Sequence, residues 1–133
     1  MEGALKLKEL AYMHAEGFAA GELKHGPIAL IEEDLPVVVI VPSPDGRSAL
    51  HDKIVSNIQE IRARGARTIV IADEGDDVVA PYADTLIEVP AVQTLMQPLV
   101  TTVPLQVFAC ELAAAKGHDI DQPRNLAKSV TVE

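Results

Sequence analysis

Two apolar runs constrain this chain more than anything else in it: Pro36-Val37-Val38-Val39-Ile40-Val41-Pro42 and Thr68-Ile69-Val70-Ile71-Ala72-Asp73. β-Branched side chains are stiff at χ1 and pack well on a pleated surface. A run without polar alternation offers no face to water, so each reads as a strand buried on both faces. Between them lies a helical pattern from about Ala49 to Arg64, with Ile54, Ile58 and Ile61 on one face and Val55 beside them. Ser48 stands where a cap is needed, and Gly65 where the helix must stop. A third, shorter strand runs from Thr85 to Val89 and is closed by Pro90. Strands joined by helical crossovers predict an α/β fold, a parallel sheet with helices on both faces. Ligands in such sheets bind outside the carboxyl ends of the strands.

Upstream, residues 2 to about 20 read as a helix, with Leu7, Leu10, Ala11, His14 and Phe18 on one buried face. Lys6 and Glu9, three apart on a neighbouring face, can converge. On spacing alone they are either a solvated ion pair or two groups of a site. The helix has no capping residue at its start, so the chain opens as if already inside an element. Next comes Gly21-Glu22-Leu23-Lys24-His25-Gly26-Pro27, a loop with glycine near both ends and a proline at its exit. It holds His25, the side-chain type that exchanges protons near neutrality, unless this is only a helix end with a solvated Lys-His pair. Residues 28–35 read as a connection with Glu32, Glu33 and Asp34 in solvent.

Asp73 to Asp77 forms an acidic loop, expected to be solvated; its spacing matches no calcium loop and no histidine lies nearby in sequence. No metal and no cofactor are expected. From Val92 to Lys116 the sequence is helical and apolar, with Pro98 and Pro104 inside, so the helix should start near Pro98 or kink. Such a helix is expected in a core or a subunit interface, and Gly117 ends it. The tail, residues 118–133, has little core character and would be ordered only by docking.

Composition excludes several classes of function. The chain has 133 residues, room for one domain, and a net charge of −9, which leaves no basic stripe for nucleic acid. A phosphorylated substrate would need a local cluster of Lys and Arg. The single cysteine, Cys110, permits no disulfide within the chain and is expected to be a buried, inert thiol. No signal-peptide pattern and no uninterrupted apolar run of about 18 residues occurs, so no membrane span is expected and the cytoplasm is the default compartment.

Three stretches together carry a resemblance: Glu-Gly-Ala-Leu-Lys-Leu-Lys-Glu at 2–9, Gly-Glu-Leu-Lys-His-Gly-Pro at 21–27, and Asp-Gln-Pro-Arg-Asn-Leu-Ala-Lys-Ser-Val-Thr-Val-Glu at 121–133. In this order and at these separations the sequence resembles the C-terminal part of the glutamine–fructose-6-phosphate aminotransferase (glucosamine-6-phosphate synthase) family. The resemblance covers essentially the whole chain. It implies that residues 1–133 are a segment of the second SIS (sugar isomerase) domain, a three-layer α/β/α fold with a parallel sheet, lacking its first strand and ending in the family's own tail at 118–133. It also implies that the glutaminase domain, and the Ser/Thr loop holding the sugar phosphate, belong to other parts of the enzyme.

The resemblance further implies roles. Lys128 corresponds to the lysine that forms a Schiff base with the sugar ketone, with Ala127 beside it at the substrate. Glu9 matches the carboxylate that moves a proton between C1 and C2, and Lys6 could steady the developing oxyanion. His25 matches the histidine that opens the sugar ring and reaches the neighbouring subunit, so a homodimer is implied. The implied reaction is conversion of fructose 6-phosphate and glutamine to glucosamine 6-phosphate and glutamate. Two other readings compete: a non-catalytic sugar-phosphate-binding SIS module, which would not need Glu9, Lys6 and Lys128 together, and a single-SIS isomerase, which needs a phosphate loop.

Overall fold

The computed structural model describes residues 1–45 and 48–126, the side chain of Ser48 excepted. Six principal elements follow in order: α1 Glu2–Leu10, β1 Pro36–Ile40, α2 Ser48–Arg62, β2 Arg67–Asp73, β3 Thr85–Val89 and α3 Gln97–Ala115. Short 3₁₀ turns lie at Ala20–His25, Pro27–Leu30 and Ala80–Tyr82. The chain divides into two compact units: residues 18–101, and residues 1–17 together with the chain from Thr102 onward.

The unit 18–101 holds the sheet. Its strands run parallel in the order β1-β2-β3, with Val38 opposite Ile69 and Ile71 opposite Ile87. Central β2 buries Thr68, Val70, Ile71 and Ala72. One core forms where Val41, Ile58, Val70, Ala72 and Val79 meet, with Ile54, Val55 and Leu86 packed around them. A second joins Leu23, Ile61 and Ala66 to Ile28, Ile31 and Val37. The isoleucine face read from the sequence is therefore the packed face of α2.

Strand β1 departs from expectation. It alternates, with Val38 and Ile40 37% and 42% exposed while Val37 and Val39 pack inward. It is the outer strand of the described sheet, paired on one side only. An unbroken valine run carries no signal of which face is covered, so sequence cannot separate this case from a strand buried twice.

Helix α2 ends in a glycine of positive φ: Gly65 has φ +91°, and the Ala66 N–H reaches back to the Ile61 carbonyl at 3.2 Å. The neighbouring Arg62 guanidinium donates to Asp84 (2.9 Å) and to the Tyr82 carbonyl (3.0 Å). Asp84 also accepts the Thr68 N–H at 2.7 Å. The last turn of α2 and the starts of β2 and β3 are thus tied together at the amino edge of the sheet.

In the other unit, α1 stops at Leu10, ten residues short of the expected end near residue 20. Ala11 caps it and Tyr12 turns to φ +52°, a left-handed conformation that breaks a helix. The Ala11 and Met13 N–H groups both reach the Leu7 carbonyl, and Lys116 Nζ donates to the Ala11 carbonyl at 2.6 Å. Beyond this end the expected periodicity buries nothing: His14 and Phe18 are exposed. Gly3 lies against Leu105, where a Cβ would come within 3.0 Å of a leucine methyl, so the small residue lets α1 and α3 approach.

Helix α3 starts at Gln97 with Pro98 in its first turn and runs through Pro104. It ends at Gly117, φ +73°, with the His118 N–H on the Ala113 carbonyl. By length and composition it is apolar enough to cross a bilayer, a property hidden by the polar residues that interrupt its run. Ala109 and Ala113 are fully buried, while Leu99, Val103 and Val107 are exposed. Cys110 is half-buried, not the enclosed thiol expected.

Candidate active site

Among the described candidate residues, Lys6 and Glu9 meet within one unit. Lys6 and Glu9 face the same side of α1 because three residues turn a helix by most of one revolution. Lys6 Nζ donates to Glu9 Oε2 at 2.7 Å, and Glu2 lies 3.8 Å away on the preceding turn. The hydrogen bond to Glu9 raises the Lys6 ammonium above its ordinary value of 10.5, against a partial desolvation that lowers it. Lys6 therefore stays a cation at neutral pH, holding the carboxylate in one orientation. Both side chains are partly covered, so the pair is not free in solvent.

His25 belongs to the unit 18–101. It closes the 3₁₀ turn Ala20–His25, a tighter structure than the open loop expected, and is exposed. Three contacts seat that turn on α2. Leu23 is buried against Ile61 and Ala66, Asn57 Nδ2 donates to the Ala20 carbonyl at 3.3 Å, and Lys24 pairs with Glu60 at 2.8 Å. Gly26, at φ +151°, then swings the chain out of the turn, a conformation L side chains rarely adopt. Leu23 in the core, with its neighbours His25 outside and Lys24 on α2, gives the histidine a rigid base. Ala127 and Lys128, and the cap expected of Ser48, lie outside the described residues and side chains.

The acidic loop after β2 requires a correction. Asp73 and Asp76 are not solvated, and a histidine is present. His51, from the first turn of α2, places Nε2 2.7 Å from Asp76 Oδ2, with both side chains 4% exposed. Against a carboxylate that nitrogen carries the proton and donates. The other Asp76 oxygen accepts the N–H groups of Val78 and Val79 at 3.2 and 3.3 Å. Asp73 accepts from the Gln97 amide at 3.2 Å, and the same amide donates to the Val41 carbonyl at 3.3 Å. These residues hold the carboxyl edge of the sheet, where β1, β2 and the start of α3 meet. Among the described residues no group of His, Cys, Asp or Glu is arranged to hold a metal ion. The pairing of His51 with Asp76 escaped the sequence because 25 residues separate them; the available signal was a histidine in the helix that follows β1.

The described residues of this unit line clefts at both edges of the sheet. One, of about 400 Å³, is lined by Asp45 after β1 and by Ala91–Thr94 after β3, at the carboxyl edge. The other, of about 330 Å³, lies at the amino edge among Glu33, Asp34, Arg62, Arg67 and Asp84. Neither is lined by Lys6, Glu9 or His25.

Residues 1–116 match the model of the SIS domain. The chain belongs to the SIS domain family. Over its whole length it is 84% identical to "Glutamine--fructose-6-phosphate aminotransferase [isomerizing]" of Streptomyces coelicolor and 73% identical to that of Mycobacterium tuberculosis, spanning 22% and 21% of those proteins. It thus spans about a fifth of the length of the curated relatives it matches. Among solved structures, the C-terminal domain of glucosamine-fructose-6-phosphate aminotransferase from Francisella tularensis superimposes with a TM-score of 0.76 at 40% identity, over 89% of this chain and 32% of that one. Tagatose-6-phosphate ketose/aldose isomerase from Escherichia coli gives 0.77 at 27% identity, over 93% and 34%. The parallel α/β architecture is thus that of SIS isomerase domains, and the SIS match ends just short of Gly117, where α3 stops and the tail begins.

Proposed function

We propose that residues 1–133 act as a segment of the second SIS domain, tail 118–133 included, in an enzyme that converts fructose 6-phosphate and glutamine to glucosamine 6-phosphate and glutamate. The observation that carries this reading is the 2.7 Å Lys6–Glu9 pair on a chain 84% identical to an aminotransferase of that name. A non-catalytic sugar-phosphate-binding module would not need Glu9, Lys6 and Lys128 together.

The chemistry follows from the groups. The Lys128 amine adds to the sugar ketone and water leaves, giving an imine; ammonia released from glutamine elsewhere in the enzyme then adds and frees the lysine amine, leaving a sugar imine whose neighbouring carbon is acidified. Glu9 takes the proton from C1 and returns it to C2, one carboxylate serving both carbons of a planar enolamine. Lys6 orients Glu9 and steadies negative charge developing on oxygen. His25 exchanges the proton that opens the ring, reaching the site from the second copy of a homodimer. The phosphate is met by residues elsewhere in the enzyme. A cytoplasmic location suits these phosphorylated substrates.

The test is made in the complete enzyme. Glu9→Gln keeps the shape and loses the basicity, so solvent deuterium no longer enters the sugar while borohydride still traps sugar on Lys128. Lys128→Arg keeps the charge but is always protonated, so trapping and synthesis both vanish while glutamine hydrolysis persists. Deuterium incorporation by Glu9→Gln, or trapping on Lys128→Arg, overturns the reading.

A further inference from the structure

The described start of the tail is tied down: His118 and Arg124, six residues apart, both meet one side chain just past the end of α1, Tyr12. The Arg124 guanidinium carbon sits 4.1 Å from the centre of the Tyr12 ring, a cation–π stack. The Arg124 N–H donates to the Tyr12 hydroxyl at 2.8 Å. The His118 ring meets the same ring edge-on, with centroids 4.8 Å apart and planes at 65°. Beside it, Lys116 donates to the carbonyl of Ala11. Tyr12 adopts its φ of +52° at this point, a conformation disfavoured for a bulky residue.

We propose that Tyr12 is a positioning residue, whose ring and hydroxyl clasp Arg124 and so fix where the Lys128 segment leaves the helix that carries Lys6 and Glu9. The inference rests on the role of Lys128 proposed above. The chemistry needs an amine and a carboxylate on one sugar, although one comes from α1 and the other from the far end of the sequence. Tyr12 follows Glu9 by three residues, and Lys128 follows Arg124 by four. Four residues of chain reach at most about 14 Å. A clasp at Arg124 therefore shortens the tether of Lys128 to those four residues, replacing a search by a freely hinged tail with a short tethered one. Single contacts of this kind are weak on a surface. Here a ring face, a hydroxyl and a ring edge on one residue hold two points of the tail.

The experiment uses the complete enzyme with Tyr12→Leu and Tyr12→Phe. Trypsin cleavage after Arg124 reads the clasp without reference to catalysis. It is expected to speed up about tenfold in Tyr12→Leu, by local opening, and to stay near the parent rate in Tyr12→Phe, which keeps the ring face. Borohydride trapping of sugar on Lys128 reads the consequence. In Tyr12→Leu the trapping rate and kcat fall about tenfold while KM for fructose 6-phosphate stays within about twofold, and Tyr12→Phe restores most of the rate. An unchanged cleavage rate in Tyr12→Leu overturns the clasp. Faster cleavage with unchanged trapping and kcat overturns its positioning role. If the parent enzyme carries its adduct on another residue, the role of Lys128 fails instead, and the cleavage arm still decides the clasp.

Discussion

Asp84 shows how a single carboxylate can make a fold sensitive to acid. The Thr68 backbone N–H, then the Thr68 hydroxyl and the Arg62 guanidinium, all favour its charged form and lower it from the ordinary value of 3.8. A depressed folded value contributes stability that is present above 3.8 and lost as pH falls through the lower, folded value. Asp84→Asn is therefore expected to flatten the stability curve below about pH 4. Urea midpoints measured across that range check it, and equal acid sensitivity in parent and variant would contradict the assignment. At this scale the sequence was uneven evidence. Lys6 and Glu9 were legible because both sit on one short helix, where spacing alone sets proximity. Asp84 with Thr68 and Arg62, and His51 with Asp76, were not, since only the sheet register and the crossover bring them together. Tyr12 gave no signal at all, because its partners come from a tail with no periodicity.

At the scale of elements, the glycines were the most legible features. Gly65 and Gly117 end their helices with positive φ, as their places after the apolar patterns implied. Gly65 has a second constraint: a Cβ there would fall within 3.0 Å of the Glu33 Cα and closer still to its carboxylate. Gly65→Ala should destabilise the fold by about 1–3 kcal/mol, combining a left-handed alanine with a backbone clash. A chemical denaturation curve within about 0.5 kcal/mol of the parent would show that the loop gives way freely. Strands β2 and β3 matched their runs to within a residue, because proline and glycine punctuate both. The end of α1 did not, since i, i+3, i+4 spacing continues to Phe18 although the backbone leaves the helix at Tyr12. Periodicity reports a face that could be buried; a tertiary contact decides whether the helix goes on to use it.

For the whole molecule, the exposed side chains of α3 set an expectation. Leu99, Val103 and Val107 are each more than half exposed on a helix with little polar surface. The chain is therefore expected to self-associate, with an interface above about 1,000 Å² if the dimer is obligate. Light scattering on the eluting peak at micromolar concentration should give at least twice the 14.2 kDa chain mass. A clean monomer would defeat the expectation, and a broad high-mass smear would mean aggregation without a defined dimer. The division of the chain also orders events in time. Residues 18–101 are contiguous, so their sheet can assemble from local crossovers soon after Thr101 leaves the ribosome. The other unit joins residues 1–17 to the chain from Thr102 onward, so it must wait for that later chain and then close a loop of more than eighty. Within these residues the helix bearing Glu9 is thus made before the sheet but finds its partner after it, and until then its apolar side is a surface for a chaperone to cover.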